Sequence, residues 1–319
     1  MTACSFRLAA MAVVAALSCG TANAASEKLV DGFDGADFSS AGGLYYKKNV
    51  EQQAGLVEFQ SGVVRSGAGA LKLTVKPLCP KEDEDCSERA EIWERTKLRP
   101  AYDEGVWYGF AVKFADPVPT DDHRYLIAQW KREIDPGAEG DFSPFLAFRL
   151  RNGKLFVTVE TNYRPGLDGA KVTGPGACAP KGTSVWLRPD TNQMRALVAA
   201  DASWLPADGE LYSSCTDQIE VTSHGNALPS PASGWIDFAI LSKPGPDGSG
   251  RIELFANGKP VVTVRGMVGH ADKGLGKNQY FKFGPYRDGH ASNWTLYYDD
   301  FRRSPDCADV LKDGICPAP

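Results

Sequence analysis

Tyr280-Phe281-Lys282-Phe283-Gly284-Pro285-Tyr286-Arg287 is the stretch that decides the reading of this chain. Side chains two apart share one face of an extended strand, so Tyr280, Lys282, Gly284 and Tyr286 fall together. The same alternation pairs Arg89 with Glu91 in Arg89-Ala90-Glu91 and Gln129 with Lys131 in Gln129-Trp130-Lys131. A sheet face that carries two tyrosines, two lysines, an arginine and a glutamine is not a core face. It is expected to be solvent-accessible and concave.

Working outward, β-branched and aromatic runs recur at 56–59, 70–76, 106–114, 125–131, 145–150, 154–160, 235–241, 252–255, 260–265, 279–286 and 294–301, and each predicts a strand. Asn152-Gly153 and Asn257-Gly258 sit between alternating runs, and Asn-Gly is the preferred pair for a type I′ hairpin turn. With 33 glycines, 21 prolines and only four methionines in 319 residues, composition speaks against a helical bundle. The expected class is all-β, an antiparallel β-sandwich. Between about 164 and 233 the pattern breaks into Pro, Gly, Ser and Asp, with helix-like turns such as Thr191 to Ala200. Nearly 70 residues exceed a passive connection. We read an excursion tied by Cys178 and Cys215 that forms one wall of a cleft, within a single domain spanning 25–319.

Residues 1–24 read as a secretory signal peptide. Arg7 precedes the apolar run Leu8 to Leu17, and Ala22-Asn23-Ala24 is a small-x-small cleavage site. Cys19 is a poor match to a lipoprotein site. The mature chain is therefore expected to be secreted or periplasmic, with no membrane span. Its 35 basic side chains less Arg7 leave 34 against 40 acidic ones, a net charge of −6. That disfavours a nucleic-acid or anionic-membrane partner while leaving room for a local basic cleft. Of eight cysteines, Cys4 and Cys19 leave with the signal, and six remain as Cys79/Cys86, Cys178/Cys215 and Cys307/Cys316. Neighbour-paired disulfides are the simplest of the 15 connectivities.

Common catalytic signatures are missing from the sequence: no Gly-x-Ser-x-Gly, no His-Glu-x-x-His, no phosphate loop, and four histidines in all. Glu133-Ile134-Asp135-Pro136-Gly137 begins like the paired-carboxylate strand of sandwich-fold glucanases. Pro136 and Gly137 end that strand before a second Glu, which sets glycoside hydrolysis aside.

Taken together, Arg89-Ala90-Glu91, Gln129-Trp130-Lys131 and Tyr280 to Arg287 resemble the three sheet motifs of the β-jelly-roll polysaccharide lyases, the group of alginate lyases, glucuronan lyases and heparin lyase I. Those motifs look like Arg-x-Glu, Gln-x-His and Tyr-Phe-Lys-x-Gly-x-Tyr. The likeness extends through 234–238, 258–259 and Tyr297-Tyr298-Asp299-Asp300, roughly Leu29 to Arg303 without the excursion. It implies a concanavalin A-like jelly roll with a concave cleft, acting by β-elimination on a uronate-containing acidic polysaccharide.

On that resemblance Arg89 and Gln129 would neutralise or hydrogen-bond the uronate carboxyl group, easing the developing enolate. Tyr286 would transfer the proton, with Lys282 beside it favouring the phenolate. Lys131 stands where the family has histidine. Tyr286 is then expected to serve as both base and acid, which fits syn elimination on glucuronate or mannuronate, unless His123 or His290 swings in. Glu91, Tyr280, Arg287, His123 and Trp130 are expected at the substrate, Glu91 as an orienting partner. Plainer readings compete: Arg89–Glu91 as a surface charge pair, Lys131 as a solvated lysine, Tyr280 as packing. No cofactor is expected for the chemistry. Asp34 and Asp300 are candidates for a structural calcium ion or for capping turn amides. The chain is expected to act as a monomer, and a non-catalytic, lectin-like sandwich remains the alternative.

Overall fold

In the computed structural model the described residues are 27–80, 86–138, 143–165, 178 and 182–318, so the signal-peptide reading lies outside them. Strands are numbered in chain order. One sheet runs β14 (Ile219–Ser223), β17 (Lys259–Val268), β16 (Gly245–Ala256), β15 (Ile236–Lys243), β7 (Val106–Phe114), β19 (Trp294–Ser304), β4 (Ala70–Val75) and β3 (Gly55–Gln60), with β1 (Leu29–Asp31) also on β19. The other runs β13 (Ser214–Thr216), β11 (Thr183–Arg188), β12 (Gln193–Ala200), β10 (Lys154–Asn162), β9 (Leu146–Arg151), β8 (Tyr125–Ile134), β18 (Leu275–Asp288), β6 (Ile92–Glu94) and β2 (Leu44–Tyr46), with β5 (Ser87–Arg89) on β18. This is the expected jelly-roll sandwich of two antiparallel sheets.

Between the sheets an aromatic core closes the fold. Phe110 lies 5.6 Å from Phe281, and Phe148 lies 4.8 Å from Phe238, ring centre to ring centre. Alternation puts Phe281 and Phe283 of β18 and Trp130 of β8 on this inner side, all essentially fully buried. Both Asn-Gly turns form as expected, with φ of 52° and 73° at Asn152-Gly153 and 49° and 74° at Asn257-Gly258. The three disulfides join neighbouring cysteines: Cys79–Cys86, Cys178–Cys215 and Cys307–Cys316.

The excursion departs from its sequence reading. Instead of helix-like turns, Gln193–Ala200 is a strand held by β10 on one side and β11 on the other. Met194 and Ala196 go fully inward and Val198 nearly so. Good helix formers become strand here because the open edge of β10 offers backbone partners, and context overrides propensity. The excursion thus extends the cleft-bearing sheet by β11, β12 and β13 and adds β14 to the other sheet.

Candidate active site

β8 and β18 lie side by side, with Gln129 opposite Lys282 and Leu126 opposite Tyr286. The third motif arrives on β5 and β6, which place Arg89 opposite Tyr286 and Trp93 opposite Lys282. Gly284 makes this approach feasible. Its φ is 126°, and a Cβ there would stand 2.2 Å from the carbonyl oxygen of Ala90. Only glycine fits both the conformation and the contact. The backbone of Ala90 fills the space over Gly284.

Glu91 organises what results. It is 1% exposed. It accepts from Lys282 Nζ at 2.8 Å, from Arg89 Nη1 at 3.3 Å and from the Gln129 side-chain amide. Burial alone would raise its carboxyl group, but Lys282 and Arg89 hold it below the ordinary carboxylate range. Arg89 is also gripped by Glu51 at 2.7 Å. Its guanidinium lies 4.1 Å from the Tyr286 ring centre, while Lys282 Nζ is 5.9 Å away. On the open side, Arg124 Nη2 donates to the Tyr286 hydroxyl at 3.2 Å. Tyr286 therefore presents a phenol among three cations.

Arg89, Arg124, Gln129, Lys282 and Tyr286 line a cleft of about 410 Å³ that also takes in Lys131 and His123. Among the described residues eight lysine and arginine side chains face it, with Asp122 the single acidic residue of its lining. Such a cleft draws in anions even though the chain as a whole is acidic.

Residues 36–302 match the family model described as Polysaccharide lyase. The chain belongs to the polysaccharide lyase family. Among solved structures, the lyase resembles the endo-β-1,4-glucuronan lyase of the fungus Trichoderma reesei, with a TM-score of 0.57 and 16% identity over 90% of this chain and 98% of that one. Cellulose induced protein Cip1 follows at a TM-score of 0.46 and 14% identity, over 91% of this chain and 100% of that one. No curated protein matches the lyase. At such identities the likeness concerns the fold.

The structure corrects several expected substrate contacts. Trp130 packs in the core, 4.4 Å from Phe281, because its neighbours Gln129 and Lys131 take the cleft face. Arg287 is fully buried, bonded to Glu88 at 2.7 Å and to the carbonyl of Ser292. Tyr280 is a packing residue, stacked on Trp93 at 5.4 Å and covered by Arg99 at 4.4 Å. Burial pushes its phenol well up. Glu91 sits behind the cleft surface and acts through the three groups it holds. His123 does line the cleft, its Nε2 donating to the Asp288 carbonyl at 3.2 Å, whereas His290 bonds to Ser292 and lies outside the lining. Asp34 accepts from the amides of Ala68 and Gly69, and Asp300 pairs with Lys312 at 3.0 Å. Asp34 thus caps backbone amides, whereas Asp300 forms an ion pair. Among the described residues no three His, Cys, Asp or Glu gather as a metal site.

Sequence reading missed Arg124, Arg149, Arg151, Arg188 and Arg195, all in the cleft lining. A signal existed for two of them, since Arg149 and Arg151 alternate with Phe148 and Leu150. Arg188 and Arg195 stand in the excursion, whose strands were not recognised.

Proposed function

We propose that this polysaccharide lyase cleaves a uronate-containing acidic polysaccharide by β-elimination, with Tyr286 as the proton-transfer group. The observation that carries the reading is the Tyr286 hydroxyl in a cation-lined cleft, bonded by Arg124 and flanked by Arg89 and Lys282. Arg89, Gln129 and Lys282, oriented by Glu91, are suited to hold the uronate carboxylate and the charge that spreads onto it. Tyr286 takes the C5 proton, the electron pair forms the C4–C5 double bond, and the C4–O bond breaks. The departing oxygen is protonated by the same phenol when both lie on one side of the ring. This favours glucuronate-type or mannuronate polymers, with Lys131 supplying a cation where the family has histidine. No step calls for a cofactor. Three disulfides fit an oxidising compartment, and we infer secretion or a periplasmic location.

The test is incubation with glucuronan, alginate blocks, heparin, hyaluronan and pectate, following the near-ultraviolet absorbance of the unsaturated uronate. Absorbance that rises on a glucuronate or mannuronate polymer supports the reading. Cleavage mainly at guluronate or galacturonate defeats the single-tyrosine syn route, and binding without cleavage of any polymer moves the protein to the lectin-like alternative.

A further inference from the structure

The cleft continues well beyond the tyrosine. Strand registers give a row across the sheet in which Tyr286 faces Leu126, Leu126 faces Arg149, and Arg149 faces Phe156. Arg149 is thus two strand spacings from the tyrosine, roughly 10 Å along the sheet. Further out, Glu160 faces Arg195, and Arg195 faces Trp186 on β11. Glu160 lies four residues along β10 from Phe156, so a chain that crosses the strands obliquely from Tyr286 passes over Arg149 and then over Arg195 and Arg188.

Charge at this far end is concentrated on one carboxylate. Arg195 and Arg149 both approach the same oxygen of Glu160, the latter at 3.6 Å, and Glu160 Oε2 is buried without a hydrogen-bond partner. Arg149 is itself more than nine-tenths buried, its Nε spent on Thr158 at 2.9 Å. Arg188 and Arg195 are drawn over Trp186, their guanidinium carbons 5.3 Å and 5.2 Å from its ring centre. Arg188 donates to Ser143 at 3.1 Å, which fixes its direction. Burial and the neighbouring Arg195 pull the Arg149 guanidinium down to about 9. An anion arriving there would relieve that repulsion.

We infer that Arg149, Arg188 and Arg195, steadied by Trp186, form a second anion subsite, which takes the carboxylate or sulfate ester of a sugar removed from the one that loses its proton. This deepens the reading of the cleft given above and rests on it. A guanidinium cluster suits a planar or tetrahedral oxyanion through paired N–H donors. The polymer would then be gripped at two charged points, and chain length would enter KM.

The variants Arg188→Gln, on the partly exposed rim, and Arg195→Gln are compared with wild type on the polymer that gives the chromophore and on its size-fractionated oligosaccharides. A rise in KM of about tenfold or more for long chains is expected from the lost charge-assisted bonds. The advantage of long over short chains should shrink with it, while kcat falls little. An unchanged KM and length dependence in Arg188→Gln overturns the subsite.

Retardation in gels containing glucuronan, heparin or desulfated heparin is read in a Tyr286→Phe background, so binding is scored even if no polymer is cleaved. Retardation by glucuronan that weakens in Arg188→Gln assigns a carboxylate. Retardation by heparin alone, lost on desulfation, assigns a sulfate. Retardation equal with and without Arg188 refutes the subsite, and wild-type inactivity on every polymer counts separately against the elimination chemistry.

Discussion

Lys282 Nζ and Glu91 Oε2 lie 2.8 Å apart, with side chains 3% and 1% exposed, Lys282 in the cleft lining and Glu91 behind it. The same carboxylate takes Gln129 and Arg89, so one buried group sets the direction of three that face the substrate. Glu91→Gln leaves buried Lys282 without its counter-charge, while Arg89 keeps Glu51. A loss of about 3–5 kcal/mol is expected in denaturant unfolding, as for breaking a buried ion pair from one side. Glu91→Asp, which keeps the charge, should recover part of it. Equal stability of Glu91→Gln and wild type would show that the pair does not hold the site.

Burial outweighs Glu91 and brings the Lys282 amine down to about 7 from its ordinary 10.5. Between those values the unfolded chain keeps a proton that the folded chain has released, so this group's contribution to stability rises with pH across that window. Activity should move the other way. The ammonium is the form that faces a uronate, so kcat/KM is expected to decline as pH climbs through about 7. Lys282→Arg keeps its charge and should push the decline upward; an unmoved profile would exclude Lys282 from the chemistry.

Tyr286→Phe removes one oxygen from a ring that Arg89 still stacks against. Loss of positioned proton transfer is worth about a hundredfold to ten-thousandfold in rate. Turnover measured by absorbance should drop by at least that range with polymer binding retained. A variant that loses binding and turnover equally would point to a structural phenol instead.

Gly284→Ala forces a side chain onto the Ala90 carbonyl at a φ of 126°. Backbone strain alone costs about 1–3 kcal/mol. The β5–β6 segment that carries Arg89 and Glu91 should move outward to relieve the contact. A lower melting temperature together with reduced kcat is the expected result, and a variant that melts and turns over like wild type would contradict it.

Cys178–Cys215 closes a loop of 37 residues, and Cys215 pairs with Ser184 on β11, the strand that bears Trp186 and Arg188. Replacing both cysteines by serine is expected to cost about 4 kcal/mol on the chain-entropy model. KM for long chains should rise more than kcat falls, because the loosened strand carries the arginine wall and not the tyrosine. Kinetics on long and short oligosaccharides would read this, and a loss confined to kcat would speak against it.

What local chemistry governs was legible from the chain itself. The Asn152-Gly153 and Asn257-Gly258 turns follow from residues that accept positive φ, and neighbouring cysteines are already close in the chain. Strand alternation even carries the correction of two contacts: Trp130 lies between Gln129 and Lys131, and Arg287 follows Tyr286, so both belong to the inner side. Tyr280 has the parity of Lys282, and no local pattern tells that Trp93 and Arg99 cover it, because those residues come from 180 or more positions away. Arg149, Arg188 and Arg195 belong to three strands, two of them in a segment with weak strand signals. Sequence by itself determined the sandwich, the disulfide pairs and the outward face of the lyase motifs, since these depend on periodicity and short separation. Tertiary structure alone decided which polar groups reach the cleft and that Glu91 ties Arg89, Gln129 and Lys282 together. Strand order across a sheet brings together residues that the chain keeps far apart.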